Sequence, residues 1–415
     1  MNVLWIVNII FPEANTLLTG NKKASGGAGW MIGLADNLVK HNIELSIVSL
    51  SVTVSELKVL KGESITYYLI PFGKGNRKYN KDYEPFMREI RDKTKPDVVH
   101  IHGTEFTQGL SYVRACGKDH VVVSLQGIKT GIARHYLAGL TFRDVIRNMT
   151  FRDIIKGGLY TERKNFVNTG ILEQELIRSL NHVIGRTEWD HAQVLSYNTN
   201  INYHFCNEIL RSEFYDGSHW QYDKCTQHTI FLSQAWYPLK GAHQLLKALP
   251  LILRKYPDTQ IRIAGTDITS YTGMYKIKHE STYGRYLRKL IQRLHIAQHI
   301  IFLGDLTSAQ MKQEYLKTNV FVCPSSIENS PNSLGEAQIL GVPHVSSYIG
   351  GTPDMMRGNE GNLYRFEEVE MLAEKICTIF ANKDKQIDMT DVARKRHDPL
   401  TNGECIYAIY QLLSK

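Results

Sequence analysis

Two carboxylates lie eight positions apart in residues 327–337, which read IENSPNSLGEA. Glu328 follows the apolar run VFVCPSS, and Glu336 lies three residues after Ser333. Ser333 and Glu336 have the spacing of a capping box, which explains Glu336 by helix stability worth about 1 kcal/mol. The capping box does not include Glu328, so helix stability does not explain that residue. Because ligands of parallel sheets bind beyond the carboxyl ends of the strands, we predict that Glu328 faces a ligand.

The composition is that of a soluble globular protein, with 43% hydrophobic and 22% charged residues. Its 415 residues suffice for roughly two to three domains. No apolar run reaches the roughly 18 residues of a spanning helix, and the N-terminus MNVLWIVNIIFPE lacks the basic residue and cleavage site of a signal peptide. The six cysteines form no C-x-x-C pair, which argues against a zinc site and favours a reducing compartment. We expect a cytoplasmic location.

The net charge of +8 favours a polyanionic partner. Nucleic acid, anionic lipid and sugar nucleotides all satisfy that condition. No recognised nucleic-acid-binding motif accompanies the charge, so we do not expect nucleic acid as a partner.

Short apolar runs alternate with helical stretches in both halves of the chain. The first half contains the runs NVLWIVNII, IELSIVSL, PDVVHIHG and HVVVSLQG, and the pattern restarts with HTIFLSQ, QIRIAGT, HIIFLGD, VFVCPSS and PHVSS. Near-continuous apolar strands separated by helices are typical of parallel sheets covered on both faces. The sequence therefore predicts an α/β fold of two doubly wound, Rossmann-like domains. We place an N-terminal domain in residues 1–210, a second domain in 211–390, and a helical segment in 391–415 that returns to the first domain.

The N-terminal domain includes a basic helical segment, residues 134–165, in which the tetrad Thr-Phe-Arg-Asp occurs twice, nine residues apart. Its cations alternate with aromatic side chains; they are Arg134, Arg143, Arg147, Arg152, Lys156, Arg163 and Lys164, with Tyr136, Phe142, Phe151 and Tyr160 between them. Such a stretch can lie on an anionic membrane surface. Alternatively, its apolar side packs on the domain while the arginines are solvated. Both interpretations stay open at this stage.

Two further stretches have the residue types that bind phosphate. Gly26 and Gly27, in SGGAGW, open a helix after the first strand, where free backbone N–H groups attract anions. The pattern is not G-x-G-x-x-G, so the dinucleotide fingerprint is absent. Lys240, in YPLKGAHQLLKALP, precedes the first helix of the second domain, where its charge can neutralise a diphosphate.

The segment PSSIENSPNSLGEAQILGVPHVSSYIGGTPDMM resembles the E-x7-E region of retaining glycosyltransferases of family 4. That family has the GT-B fold, in which two Rossmann-like domains face a central cleft. The Gly-Gly pair of the first loop and the motifs KG, IAG, FLGDL and DVVHIHG also resemble the family. GRTEWDHA and YPLKGAHQLL are similar to its bacterial surface-polysaccharide branch.

The resemblance implies a role for each matching residue. Glu328 would contact the hydroxyls of the donor sugar, Glu336 the ribose hydroxyls, and Lys240 the leaving diphosphate. The main-chain amides around Asn332 and Ser333 would receive phosphate or sugar oxygens. The remaining substrate-binding candidates are Gly26, Gly27, Gln234, Gly265 and Arg186.

Two departures from the family pattern concern the reacting centre. The family has an arginine about five residues before its lysine, where this chain has Gln234 and Ala235. It also often has a histidine at the end of an N-terminal strand, where this chain has Gln126. We count Gln126 among the catalytic candidates, although an amide can position a hydroxyl but cannot serve as an acid or base. His100 and His102 could substitute for it or could be core residues.

The resemblance implies transfer of a sugar with retention from a nucleoside-diphosphate sugar, with a UDP-sugar favoured and GDP-mannose next. The implied acceptor is a saccharide or lipid-linked saccharide of surface polysaccharide, and residues 134–165 would give peripheral membrane contact. The sequence contains no Asp-x-Asp motif, so we expect no metal and no cofactor. The alternatives are a nucleotide-sugar 2-epimerase, which needs no acceptor, and a catalytically silent nucleotide-sugar-binding subunit.

Overall fold

The chain divides into two compact units. The computed structural model describes residues 1–20, 29–72, 79–382 and 387–415. Unit 1 comprises Met1–Gly131, Asn165–Arg211 and Arg396–Lys415. Unit 2 comprises Ile132–Lys164 and Ser212–Lys395.

Each unit is built on one sheet. In the described ranges, the strands of unit 1 are β1 (Asn2–Ile6), β2 (Glu44–Ser51), β3 (Lys58–Lys61), β4 (Ile65–Pro71), β5 (Val98–His102), β6 (Val121–Ser124), β7 (His182–Gly185) and β8 (Asn202–Phe205). Their order is β3-β4-β2-β1-β5-β6-β7-β8, with β3 antiparallel to β4 and the other neighbours parallel. The strands of unit 2 are β9 (Thr229–Leu232), β10 (Gln260–Ile263), β11 (Ile300–Phe302), β12 (Val320–Cys323), β13 (His344–Ser347) and β14 (Leu363–Tyr364). They run parallel in the order β11-β10-β9-β12-β13-β14.

Helices connect these strands. Those in the described part of the chain are α1 (Pro12–Thr19), α2 (Gly29–Val39), α3 (Tyr83–Thr94), α4 (Gln108–Cys116), α5 (Lys129–His135), α6 (Phe142–Arg147), α7 (Phe151–Lys156), α8 (Leu159–Ser179), α9 (Glu188–Tyr197), α10 (Ala242–Leu253), α11 (Gly273–His279), α12 (Thr282–Leu294), α13 (Ser308–Lys317), α14 (Asn332–Ile339), α15 (Thr352–Met355), α16 (Val369–Ala381), α17 (Thr390–Arg396) and α18 (Pro399–Leu413). Among these helices, none combines the length and the apolar character needed to cross a bilayer.

The central strands are buried on both faces, as their continuous apolar sequences predict. All four residues of β9 and all four of β12 are buried, and so are the inner residues of β1. Parallel strands need crossover connections, and the helices that supply them cover the sheet. The predicted α/β class, with two doubly wound sheets, is confirmed.

The structure differs from the predicted domain division at the basic segment. The sequence placed residues 134–165 in the N-terminal domain, whereas residues 132–164 cluster with unit 2. The reason is a set of polar contacts with unit 2: Asp153 Oδ2 accepts a hydrogen bond from Thr282 Oγ1 at 2.5 Å, and His243 Nε2 lies 2.9 Å from the Ala138 carbonyl oxygen. Such contacts between residues far apart in sequence leave no periodic signal.

The repeated Thr-Phe-Arg-Asp tetrad has a structural explanation. Thr141 caps α6 and Thr150 caps α7, and each forms a capping box with the aspartate three residues later, Asp144 or Asp153. Each tetrad therefore starts a short helix, since a capping box satisfies two N-terminal backbone donors at once.

A buried hydroxyl of helix α18 joins the core of unit 1. Tyr410 Oη accepts a hydrogen bond from Trp5 Nε1 at 2.9 Å and lies 2.6 Å from His100 Nδ1. The other His100 nitrogen lies 2.6 Å from Ser124 Oγ, and burial lowers the pKa of His100 to about 3. His102 is also buried, with its ring centroid 4.3 Å from that of Trp5. The core interpretation therefore fits His100, whereas both buried ring nitrogens of His102 have no hydrogen-bond partner among the described residues.

We predict that Tyr410→Phe lowers the free energy of unfolding by about 2 kcal/mol, because it leaves the buried Trp5 N–H without its acceptor. Tyr407→Phe is the matched control, since Tyr407 lies on the same helix and its ring stacks on His41. Urea unfolding measures both variants. Equal stability of the two variants would contradict the role of Tyr410.

Candidate functional site

A lysine and a glutamate meet at the carboxyl ends of two neighbouring strands of unit 2. Lys240 ends a 3₁₀ turn, Pro238–Lys240, in the loop after β9, and Glu328 lies in the loop after β12. Lys240 Nζ donates a hydrogen bond to Glu328 Oε1 at 2.5 Å, and Ser325 Oγ donates to the same oxygen at 2.7 Å. The two charged side chains are only 18% and 14% exposed. The structure thus brings together two predicted site residues 88 positions apart in sequence.

The pair keeps Lys240 charged. Burial by itself lowers the pKa of Lys240, but the Glu328 carboxylate and Tyr237 raise it by more, so the pKa lies above its ordinary value. Lys240 Nζ also lies 5.9 Å from the centroid of the Tyr237 ring. An anionic ligand at this point would therefore meet a cation whose present partner, Glu328, it can replace.

Two glycines let the backbone approach closely enough to form this pair. Gly241 has φ +67°, and a Cβ there would lie 1.6 Å from the carbonyl oxygen of Pro324. Gly350 has φ +48°, and a Cβ there would lie 2.0 Å from the carbonyl oxygen of Glu328. The same Glu328 oxygen accepts a hydrogen bond from the Gly351 N–H at 3.0 Å. The Gly-Gly pair after β13 thus holds the loop of Glu328.

The predicted capping box of Ser333 and Glu336 is wrong. Helix α14 begins at Asn332, its N-cap is Pro331, and no side chain caps it. Ser333 and Glu336 are therefore second and fifth in the helix, too late in it to form the box. The stability argument for Glu336 is removed, and its carboxylate is almost fully buried, with 4% of the residue exposed.

The start of α14 offers polar groups to a ligand. Its first intrahelical bond runs from the Leu334 N–H to the Pro331 carbonyl, 2.9 Å, so the amides of Asn332 and Ser333 precede the hydrogen-bonded ladder. Among the residues that the structure describes, the buried Oδ1 of Asn332 has no hydrogen-bond partner. Such an oxygen can accept a hydrogen bond from a sugar hydroxyl.

The other predicted residues of unit 2 lie at neighbouring strand ends. Gln234 is half-buried and follows β9. Gly265 follows β10, and its N–H donates to the Gly304 carbonyl at 2.8 Å. It has φ +95°, and a Cβ there would lie 2.4 Å from Trp236 Nε1, so the backbone conformation and the neighbouring indole both favour a glycine without any ligand. Gly26 and Gly27 lie outside the described residues.

Gln126 lies in unit 1 beside two acids that the sequence did not indicate. It follows β6, and the next N–H, that of Gly127, donates to Glu105 Oε1 at 3.1 Å. Glu173 is buried, and Lys129 N–H donates to its Oε2 at 2.7 Å. Burial raises the pKa of Glu105, and it raises the pKa of Glu173 to about 8. Gln126 cannot exchange a proton, but these neighbours can.

Arg186 is held by partners within unit 1. Its guanidinium is paired with Glu208 and donates to the Leu125 carbonyl. Burial lowers the pKa of Arg186, but Glu208 raises it by more. Its predicted contact with substrate stays a prediction.

A cavity of about 220 Å³ lies in unit 2, with Tyr237 in its wall. Aromatic and polar side chains line it; among them are Trp236, Tyr237, Tyr271, Arg152 and Glu162. Aromatic faces with a few polar groups are suited to small polar ligands.

The described residues contain no group of three or more His, Cys, Asp or Glu side chains placed to hold a metal ion. The expectation of a metal-free site stays a prediction.

Comparison with known proteins finds one family whose model matches part of the chain. Residues 219–396 match the model of the family Glycosyl transferases group 1. This stretch includes Lys240, Glu328 and Glu336. The matched stretch is less than half of the chain. All of it belongs to unit 2 except its last residue, Arg396.

Curated relatives match over a similar length. A D-inositol 3-phosphate glycosyltransferase of Corynebacterium urealyticum is 28% identical over 37% of this chain and 35% of its own length. A GDP-mannose-dependent monoacylated alpha-(1-6)-phosphatidylinositol monomannoside mannosyltransferase of Corynebacterium glutamicum is 26% identical over 41% of this chain and 42% of its own length. The chain thus matches about two fifths of the length of such relatives.

Solved structures match the whole chain. A sucrose-phosphate synthase from Thermosynechococcus elongatus is similar with a TM-score of 0.70 at 15% identity, covering 99% of this chain and 98% of that one. At this identity the likeness shows the fold alone. The predicted GT-B fold is confirmed.

We predict that Gly350→Ala lowers the free energy of unfolding by about 2 kcal/mol or more, because the added Cβ displaces the Glu328 carbonyl. Gly358→Ala is the control, since Gly358 also has positive φ but nothing lies within 4 Å of its Cβ position. That variant should lose about 1 kcal/mol from backbone strain alone. Chemical unfolding compares them, and equal losses would contradict the contact.

Glu173 should make the protein less stable at high pH. Its folded pKa is raised from 4.5 to about 8, so its stabilising protonated form is complete below pH 4.5 and is lost as the pH rises towards 8. Over this range the free energy of unfolding should fall less steeply in Glu173→Gln than in the wild type. The two slopes should differ by up to about 1.4 kcal/mol per pH unit. Unfolding at several pH values measures both slopes. The control is Glu175→Gln, because Glu175 is half-exposed on the same helix, and it should keep the wild-type slope. An unchanged slope in Glu173→Gln would contradict the raised pKa of Glu173.

Proposed function

We propose that this protein is a retaining glycosyltransferase that moves a sugar from a nucleoside-diphosphate sugar to a saccharide or lipid-linked saccharide acceptor of surface polysaccharide. The observation that carries the proposal is the Lys240–Glu328 pair at the carboxyl ends of β9 and β12, inside the stretch that matches the family. In open α/β sheets this edge is where ligands bind.

The site suits a leaving diphosphate. When the bond between the anomeric carbon and the phosphate oxygen breaks, negative charge grows on the phosphate while the sugar becomes oxocarbenium-like. Lys240 would stabilise that charge, together with the first-turn amides of α14 at Asn332 and Ser333. Once Lys240 turns to the phosphate, the Glu328 carboxylate becomes available to the hydroxyls of the donor sugar. Glu336 would hold the ribose.

The relatives suggest which nucleotide the donor sugar carries. The mannosyltransferase relative is named as GDP-mannose-dependent, so GDP-mannose stands beside the UDP-sugars that the sequence resemblance favours. We propose that no metal takes part, since the sequence lacks an Asp-x-Asp motif.

The acceptor proposal is supported by the cavity beside Tyr237. Its volume of about 220 Å³ and its aromatic lining fit a sugar ring, and Tyr237 itself lies next to Lys240. Residues 134–165 supply part of this lining and would also give peripheral membrane contact, which would suit a lipid-linked acceptor.

A silent nucleotide-sugar-binding subunit is the second candidate. Gln234 and Ala235 stand where the family has an arginine, and Gln126 stands where it often has a histidine. Such a protein would bind the nucleotide without turning over the sugar.

The test is release of nucleoside diphosphate from a panel of UDP-, GDP- and ADP-sugars. We expect release from one donor and a fall of about 100-fold or more in Glu328→Ala and in Lys240→Ala. Glu314→Ala is the matched control, because Glu314 is also a poorly exposed glutamate in an ion pair of unit 2, with Arg262 at 2.8 Å. It should keep the wild-type rate.

Full activity in Glu328→Ala would rule out the site. Nucleotide binding without any turnover, with a saccharide or lipid-linked acceptor present, would favour the silent subunit instead.

A further inference from the structure

The helices α6 and α7 turn large apolar side chains outward. Phe142, Phe151, Ile154 and Ile155 are 67%, 58%, 71% and 66% exposed, and Ile146 and Met149 are also exposed. The side chains that face inward are Val145, Asn148, Asp153 and, after α7, Leu159. Tyr136 and Leu140, earlier in the segment, are buried as well. The segment therefore packs one part of its apolar side chains on the protein and leaves the other part exposed.

A second segment, distant in sequence, adds to this surface. Helix α11, in the long connection after β10, has no buried residue, and its Met274, Tyr275 and Ile277 are 69%, 56% and 49% exposed. It packs against α7. No sequence pattern connects this helix with residues 134–165.

Polar contacts hold the two segments in one arrangement. Helix α12, which follows α11 directly, donates from Thr282 Oγ1 to Asp153 at 2.5 Å, from Arg285 to the Met149 carbonyl at 2.6 Å, and from Lys289 to the Arg147 carbonyl at 3.2 Å. The exposed apolar side chains of α6, α7 and α11 therefore belong to one part of unit 2, which we call the apolar face.

The charge around the apolar face is positive. The exposed cations on the same helices are Arg143, Arg147, Lys156 and Lys278, and Lys276 on α11 is half-buried. The nearby carboxylates are engaged: Asp144 and Asp153 in capping boxes, and Glu280 with Arg285 and Arg288. A large exposed apolar surface marks a contact with a protein or with a membrane. The basic side chains around this one favour an anionic lipid surface, which attracts both the apolar residues and the cations.

We propose that α6, α7 and α11 together form one membrane-docking face, which places its apolar side chains in the interface of an anionic bilayer and its lysines and arginines at the headgroups. The proposal extends the membrane contact of residues 134–165, part of the proposed function, by naming α11 as a second half of the face and anionic lipid as its partner. It needs neither the donor nor the acceptor to be identified.

Co-sedimentation with vesicles tests the face. The full chain should bind vesicles of phosphatidylglycerol mixed with phosphatidylcholine, and should bind pure phosphatidylcholine at least about 5-fold less. The variants Ile154→Ser/Ile155→Ser in α7 and Met274→Ser/Ile277→Ser in α11 should each lower binding about 5-fold or more. Lys276→Glu/Lys278→Glu should lower it similarly, with a weaker dependence on phosphatidylglycerol.

The matched control is Val59→Ser/Leu412→Ser, which removes two exposed apolar side chains of unit 1, and it should bind as the wild type does. Unfolding midpoints verify that all variants are folded. Binding that survives both α11 variants, equal binding to the two kinds of vesicle, or no binding by the wild type would each overturn the proposal. So would a wild-type dimer that Ile154→Ser/Ile155→Ser dissociates, since a second copy would then occupy the face.

Release of nucleoside diphosphate from a water-soluble donor, measured on the same variants without vesicles, separates this proposal from the proposed function. We expect the α7 and α11 variants to keep that activity. Vesicle binding by a protein that turns over no donor, even with a saccharide or lipid-linked acceptor present, would uphold the face and reject the transferase. Turnover without vesicle binding would do the reverse.

Discussion

The ion pair between Lys240 and Glu328 is the interaction on which the candidate site depends. A poorly exposed ion pair is weak evidence for stability, because removing two charges from water offsets most of their attraction. Here the chain nevertheless places two glycines with positive φ, Gly241 and Gly350, where any Cβ would collide with the loops that carry the pair. A poorly exposed ion pair that needs two glycines adds little to the stability of a core. At the carboxyl ends of central strands it is the kind of arrangement that a ligand site requires.

The two tasks that we propose for unit 2, donor binding and membrane docking, rest on different physical means. Parallel strands buried on both faces fix the loops of Lys240 and Glu328, so the chemistry rests on the rigid part of the unit. The short helices α6 and α7 begin at Thr-x-x-Asp capping boxes, which stabilise them without packing of their outer side chains. The outer apolar side chains of both helices can therefore stay exposed, which is the property on which the proposed lipid contact rests.

The sequence predicted what depends on local pattern. Apolar runs gave the strands and the α/β class, and the positions of Glu328 and Lys240 at strand ends followed from them. The helix start at Asn332 was missed because Pro331 offers no side-chain cap, whereas Ser333 and Glu336 have the right spacing by coincidence. Glu105 and Glu173 were missed because their importance comes from neighbours far along the chain, 22 and 44 positions away. The same holds for the assignment of residues 132–164 to unit 2, which rests on contacts such as that of Asp153 with Thr282.

The most direct test is the affinity of nucleoside diphosphates for the wild type, Lys240→Ala and Glu328→Gln, measured by titration calorimetry with UDP and GDP. If Lys240 exchanges Glu328 for the diphosphate, Lys240→Ala should bind at least about tenfold more weakly. Glu328→Gln should bind as tightly as the wild type or more tightly, since the phosphate no longer competes with a carboxylate for the lysine. Weaker binding in Glu328→Gln, or unchanged binding in Lys240→Ala, would contradict this exchange.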